Sequence, residues 1–208
     1  MAADAALALD PEFPNLHPAV AQGYRETPQG IVAEVIAGEL SLMPRPRPRH
    51  ARTAGSLFGE LRGPFDLGAS GPGGWVLLIE PELHLGDLPD IVVPDVVGWR
   101  RERFPEGAFD DDAPGAISVP PDWVCEVLSP RTEAMDRGAK RATYQRERVG
   151  HLWLIDPALR TLEVFRWDPV GYVLIDVWDG EARVRAEPFE AIELRLGSLW
   201  PGTSSLRE

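Results

Sequence analysis

Alternating apolar and polar positions mark much of this chain as strand. IVAEVIAGELSLMP, residues 31–44, holds two short apolar runs around Ala37-Gly38, the spacing of a tight hairpin. RPRPRH, 45–50, reads as an extended connector, because Pro46 and Pro48 have no amide hydrogen to give a sheet. Ala54, Leu57, Phe58 and Leu61 recur at helical spacing and predict a helix from about Arg49 to Leu61, stopped by Gly63-Pro64. After the loop LGASGPGG, WVLLIEPEL (75–83) and IVVPDVVGWR (91–100) read as strands, with Pro94 marking a bulge, an edge or a break in the second. Residues 101–119 form a polar connection over the surface.

PPDWVCEVLSP, 120–130, alternates like a strand of a packed sheet. Trp123, Cys125 and Val127 face one way, and Val124, Glu126 and Leu128 the other. TEAMDRGAKRATYQRERVG then predicts a helix, with Thr132 at its cap, Glu133 near its start, Arg146 and Arg148 near its end, and Gly150 closing it. HLWLIDP, TLEVFRW and YVLIDVW give three more strands. The 123–128 strand, the helix and HLWLIDP have the length of a βαβ unit, whose two strands run parallel and buried. EPFEAIELRLG, 187–197, suits either a last strand or a short lid. The start of the chain, rich in Ala and Pro, reads as a helical piece and an irregular lead-in. Together these features predict one α/β domain in an α+β variant over residues 24–208, with 1–23 as an N-terminal extension.

Composition narrows the setting. The 208 residues are 44% apolar, enough for a real core, and carry a net charge of -12, which argues against a protein that coats nucleic acid nonspecifically. The one cysteine, Cys125, sits in an apolar strand pattern, so neither a disulfide framework nor a cysteine zinc cluster is available. His50, His84 and His151 are scattered at spacings that match no zinc signature. No apolar run reaches 18 residues and the first residues lack a basic leader. These features predict a soluble protein of the reducing cytoplasm, without a membrane partner.

The chemistry begins with Glu126. An isolated carboxylate on a core strand costs several kcal/mol or holds a proton. A second acid and a hard cation lower that cost by sharing charge. Asp95, inside IVVPDVV, is the candidate second acid, and Glu34 breaks IVAEVIAGE in the same manner. Asp136, Lys140 and Tyr144, spaced i, i+4, i+8, share one helix face, from which Lys140 can return toward the preceding strand. Cleavage of a phosphodiester needs hard oxygen ligands, a group that positions water and positive charge opposite the developing phosphorane; Asp95 and Glu126 meet the first need, and Lys140 suits either of the others. The arginines at 45, 47, 49, 52 and 62, and those at 100, 101 and 103, are the candidate nucleic-acid contacts or solvating charges.

IVAEVIAGELSLMPRPRPRH, VPDVVGWR, PDWVCEVLSP and DRGAKRATYQRERVGHLWLIDP closely resemble the signature of the Uma-type endonuclease family, a branch of the PD-(D/E)XK nuclease superfamily, over residues 24 to 200. The resemblance implies a restriction-endonuclease-like core, a mixed central sheet flanked by helices, and a Mg²⁺ or Mn²⁺ site. Asp95 matches the motif aspartate and Glu126 the second acid. The lysine usual two positions later is Leu128 here, and Lys140 on the helix takes its place. Glu34 resembles the acid from the N-terminal part of the fold, and His50 a polar companion on the first core helix. Asp95 and Glu126, with the Val127 carbonyl, are then the expected metal ligands, Lys140 the group that orients water or stabilises charge, DNA the expected substrate, and a homodimer the expected assembly. Two other readings stay open: a noncatalytic nuclease-fold interaction protein, and a metal-dependent hydrolase of a small phosphoester.

Overall fold

The computed structural model describes residues 13–87 and 89–202; the helical piece expected at the very start of the chain lies outside them. Strands β1 (Ile31–Ile36) and β2 (Glu39–Pro44) form the expected hairpin, from Ile31↔Pro44 to Ile36↔Glu39. Ala37 and Gly38, the two turn residues, both have positive φ, 52° and 79°. Alanine resists that conformation, and the Ala37 amide is held there by a 2.8 Å hydrogen bond to Asp90 Oδ1.

Helix α2 (Pro48–Leu61) begins on a proline, which at the first helical position loses no hydrogen bond, so the connector is shorter than the sequence predicts. Gly63-Pro64 does not stop the helix. A π turn, Arg62–Asp66, carries the chain through it, with Leu67 N donating to Arg62 O, so the wider turn absorbs the donor that Pro64 lacks.

Pro94 proves to be a break between sheets. β5 (Asp90–Val92) belongs with β1, β2 and β4 (Leu83–Leu85) in a four-stranded sheet, order β2-β1-β5-β4. β6 (Val96–Arg100) belongs to the central six-stranded sheet, order β10-β9-β8-β7-β6-β3, with β3 at Trp75–Ile79, β7 at Trp123–Val127, β8 at His151–Asp156, β9 at Thr161–Arg166 and β10 at Val173–Asp179. β7 and β8 are parallel, in register from Trp123↔His151 to Val127↔Ile155, and all other pairs in that sheet are antiparallel, so the sheet is mixed as expected.

The crossover between β7 and β8 is one helix in three parts: α3 (Glu133–Met135), a π turn (Asp136–Lys140) and α4 (Arg141–Arg146). Thr132 occupies the cap position but makes no cap bond, because its hydroxyl pairs with Ser129 Oγ at 3.1 Å. The helix closes before Gly150: Arg148 takes the left-handed conformation at φ 59°, and Val149 N to Tyr144 O and Arg148 N to Gln145 O complete a Schellman ending.

The two faces of the six-stranded sheet differ. Trp123, Cys125 and Val127 pack with Leu57 and Leu61 of α2 and with Phe189 and Leu196 near the chain's end. The 187–197 segment therefore covers this face, and its strand β12 (Leu194–Arg195) pairs with β11 (Arg183–Val184), which precedes it. Gly98 on β6 is the residue this packing requires, since a Cβ there would lie 2.7 Å from Leu77 and 3.2 Å from the Trp75 ring. Val124 and Leu128 pack on the other face with Tyr144 and Val149. Helix α1 (Pro18–Arg25) adds a small third core, where Phe13, Leu16 and Ala21 meet Val35 and Ile91. No helix among the described residues is long and apolar enough to cross a membrane.

Candidate active site

β7 lies in the interior of the sheet, so every residue from Trp123 to Val127 is buried, and alternation turns Glu126 onto the α4 side at 2% exposure. The β6–β7 register, Val96↔Cys125 and Val97↔Val124, continued by one step sets Asp95 opposite Glu126. Cross-strand partners project to the same face, so the two acids converge by strand geometry alone. The Val127 amide donates to Asp95 Oδ2 at 2.7 Å, pinning the chain just after Pro94, and His50 Nε2 on α2 lies 3.2 Å from the same oxygen.

The remaining groups arrive from two other elements. Glu34, on β1, is fully buried, and its Oε1 accepts from the Val93 amide at 2.8 Å. Lys140, at the end of the π turn, places Nζ 2.8 Å from Glu126 Oε1, 3.1 Å from Glu34 Oε1 and 3.7 Å from Asp136 Oδ1. The Tyr144 hydroxyl donates to Glu126 Oε1 at 2.5 Å. Asp136, Lys140 and Tyr144, on one face by sequence spacing, are all buried against this cluster. A π turn where a helix meets such a site is a recurrent arrangement. The structure thus brings Glu34, Asp95, Glu126 and Lys140 together, with His50, Asp136 and Tyr144 around them.

Charge does not balance here. Four carboxylates, Glu34, Asp95, Glu126 and Asp136, surround one ammonium and one imidazole. Burial, and then the neighbouring acids, push the Glu126 carboxyl well above its ordinary range despite Lys140 beside it. Asp136 is raised for the same reasons. Burial opposes the charged form of Lys140, but Glu126 and the other acids outweigh it and hold the ammonium well above its usual pKa. For His50 too, burial is outweighed, here by Asp95, and the pKa rises. Cys125, on the opposite face, is an inert thiol pushed up by burial.

The acids lie on the floor of a cleft of about 480 Å³. Val32, Met43, Pro44 and Pro130 give it apolar walls, and Arg45, Arg47 and Arg131 are exposed at its lining. Sequence reasoning missed Arg131; its only signal is a basic residue after Ser129-Pro130, where the chain leaves β7. Of the other arginines expected as contacts, Arg49 and Arg52 are exposed on α2 outside the cleft lining, and the rest are engaged elsewhere. Arg100 stacks on Trp75 with 4.2 Å to the ring centre, Arg101 bonds Trp75 O and Asp66, and Arg103 pairs with Asp122. Arg62 lies 3.9 Å from Asp66. His84 and His151 pair with Glu82 and Glu187, outside the cleft.

The donor set is of hard carboxylate oxygens. Among the described residues no three His, Cys, Asp or Glu side chains form a ready cage for a metal ion. Mg²⁺ takes one or two carboxylates and fills its remaining positions with water and phosphate oxygens. Asp95 Oδ2 takes both neighbouring contacts, leaving Oδ1, and Glu34 Oε2 is buried without a hydrogen-bond partner. An orphaned buried carboxylate oxygen beside surplus negative charge fits a cation of that class.

The fold has a counterpart. The chain resembles a solved structure described as a putative nuclease belonging to DUF820 from Anabaena variabilis, with a TM-score of 0.66 and 21% identity over 81% of this chain and 89% of that one. No curated protein matches. A family model, Uma2, described as "Putative restriction endonuclease", matches residues 21–197. The chain belongs to that family.

Proposed function

We propose that the cleft is a divalent-metal-dependent phosphodiesterase centre acting on nucleic acid, with DNA as substrate and Mg²⁺ or Mn²⁺ as the ion. The carrying observation is the cross-strand pair Asp95 and Glu126 in a buried cluster with more carboxylate charge than Lys140 and His50 offset. Asp95 and Glu126 would hold the ion with the Val127 carbonyl, and Glu34 would reach it through water. The ion, when bound, supplies a lowered pKa for its water and charge for the scissile phosphate.

The protein's own groups do the rest. Lys140 and Tyr144 both bind Glu126 Oε1, so they fix that side chain and leave its second oxygen for the ion. Because its pKa is raised, Lys140 is an ammonium at neutral pH and works by charge, orienting the attacking water and stabilising the phosphorane, and not as a base. Hydrolysis joins the water oxygen to phosphorus and breaks one bridging P–O bond; a water proton leaves to solvent and the departing oxygen gains one. A homodimer, a cytoplasmic setting and one nuclease-like domain over residues 24–208 complete the proposal.

A divalent-ion screen against plasmid, linear DNA and RNA tests it, with Asp95→Asn purified in parallel. The asparagine oxygen can still accept the Val127 amide, so the variant keeps the fold while losing ligand charge. Cleavage that requires Mg²⁺ or Mn²⁺ and vanishes in Asp95→Asn supports the reading. Equal cleavage by the variant, or none by the wild type, rejects it and favours a noncatalytic scaffold.

A further inference from the structure

We infer that the cleft admits an unpaired polynucleotide strand in preference to a duplex, with Arg47 and Arg131 holding phosphates that flank the one over Asp95. This rests on the phosphodiesterase reading of the same site, and it names the form of substrate that reading leaves open. Three observations carry it.

The first is depth. Glu126 and Lys140 are only 2% and 3% exposed, at the floor of a cleft whose volume, about 480 Å³, is that of a small-molecule pocket. Duplex phosphates lie on the outside of a stiff cylinder whose persistence length is about 150 base pairs, so a phosphate cannot be drawn inward without unpairing or sharp bending. A single strand bends freely and can lower one phosphate to the acids.

The second is the placement of positive charge. A duplex binder spreads cations along a face, whereas this chain carries a net charge of -12. Of the arginines that could extend such a face, Arg62, Arg101 and Arg103 are paired with Asp66 and Asp122, and Arg49 and Arg52, exposed on α2, stand outside the cleft lining. At the cleft, Arg45 shares its charge with Glu80 at 3.4 Å, but Arg47 and Arg131 are exposed and make no ion pair among the described residues. They come from different elements, the connector after β2 and the turn after β7. Two free guanidiniums beyond Lys140 exceed what one phosphate needs and suit a chain that continues past the site in both directions.

The third is the walls. Val32, Met43, Pro44 and Pro130 offer apolar surface to a splayed base without hydrogen-bonding groups to read it. Among the described residues no Phe, Tyr or Trp lines the cleft, and the one ring there, His50, is tied to Asp95, so stacking contributes little, and binding should tolerate any sequence and depend strongly on salt.

The experiment measures binding and cutting separately with the full chain. Fluorescein-labelled single-stranded DNA, the same strand as RNA, its blunt duplex and a mononucleotide are titrated by anisotropy in Ca²⁺, then incubated with Mg²⁺ or Mn²⁺. The expected result is at least tenfold tighter binding of an unpaired strand than of the duplex, with DNA and RNA arms deciding which sugar is accepted. Arg47→Ala and Arg131→Ala should each weaken that binding about tenfold and make the slope of log affinity against log salt shallower by about 0.7. Arg183→Ala, outside the cleft, is the control for general charge. Duplex bound as well as the single strand, unpaired strands not bound at all, preference for the mononucleotide, or an unchanged salt slope in both cleft variants would overturn the inference. Selective single-strand binding without cutting would leave it standing and reject the phosphodiesterase reading instead.

Discussion

The two faces of one strand show how the fold separates packing from chemistry. On β7, Trp123, Cys125 and Val127 enter a dry core in which Phe189 meets the rings of Trp75, Trp123 and Trp153, and Trp123 meets Trp153, at 4.8 to 5.7 Å in tilted and edge contacts. One residue along, Glu126 enters a cluster of four carboxylates, a lysine and a tyrosine. The dry face is stabilised by contacts that tolerate small losses. The charged face depends on counter-charges that cannot be removed singly, because each removal leaves a buried ion alone. A strand buried on both sides can therefore hold a reactive site rigidly on one face while the other supplies the stability that site lacks.

The largest expected difference between the faces comes from Lys140→Met. It leaves Glu34, Glu126 and Asp136 buried without an ammonium and should cost about 3–5 kcal/mol at neutral pH, read by urea unfolding. A loss below about 1 kcal/mol would mean that the cluster is solvated and not the buried ionic core described above. On the dry face, Ile155→Val should cost only about 0.5–1.5 kcal/mol in the same measurement.

Acidity sharpens the contrast. The Glu126 carboxyl titrates higher in the folded chain than in the unfolded one, where its ordinary value is about 4.5. Its proton therefore stabilises the fold fully below that value, and the contribution is lost as pH rises through the raised folded pKa. Glu126→Gln has no such proton to lose. The stability of the wild type relative to the variant should thus fall with rising pH, by up to about 1.4 kcal/mol per unit within that window. A difference that grows with pH would show that Lys140 dominates and that Glu126 is an ordinary ion-paired carboxylate.

The smallest effect concerns Tyr144→Phe. Losing the hydroxyl leaves Glu126 Oε1 held by Lys140 alone and should weaken Mn²⁺ binding by about tenfold, the usual scale for a group that orients a ligand, with little change in the apolar packing around the ring. Unchanged Mn²⁺ affinity would leave Tyr144 a packing residue.

The sequence made the floor of the site legible because it follows from strict periods. Alternation put Glu126 opposite its apolar neighbours, and the i, i+4, i+8 spacing joined Asp136, Lys140 and Tyr144; Asp95 could converge on Glu126 only if its strand lay beside β7, and the structure supplies that pairing. What escaped depends on tertiary context. Pro94 marks an interruption in any reading, but only packing sends β5 and β6 into different sheets. Gly63-Pro64 and Gly150 look like helix ends; a π turn carries the chain through the first, and Arg148 ends the other helix before the second. Arg131 gives no periodic signal, since its value lies in where the turn after β7 leaves it. The segment 187–197 reads as strand or lid because its acidic residues conceal Phe189, Leu194 and Leu196, which cover the dry face.

The central claim, a hard-cation site made by the cross-strand acids, is tested most directly by calorimetric titration of Mn²⁺ into the wild type and Asp95→Asn. One ion bound by the wild type, with affinity at least tenfold weaker in the variant while its unfolding curve is unchanged, is the predicted result. No binding by the wild type, or equal binding by both, would contradict it.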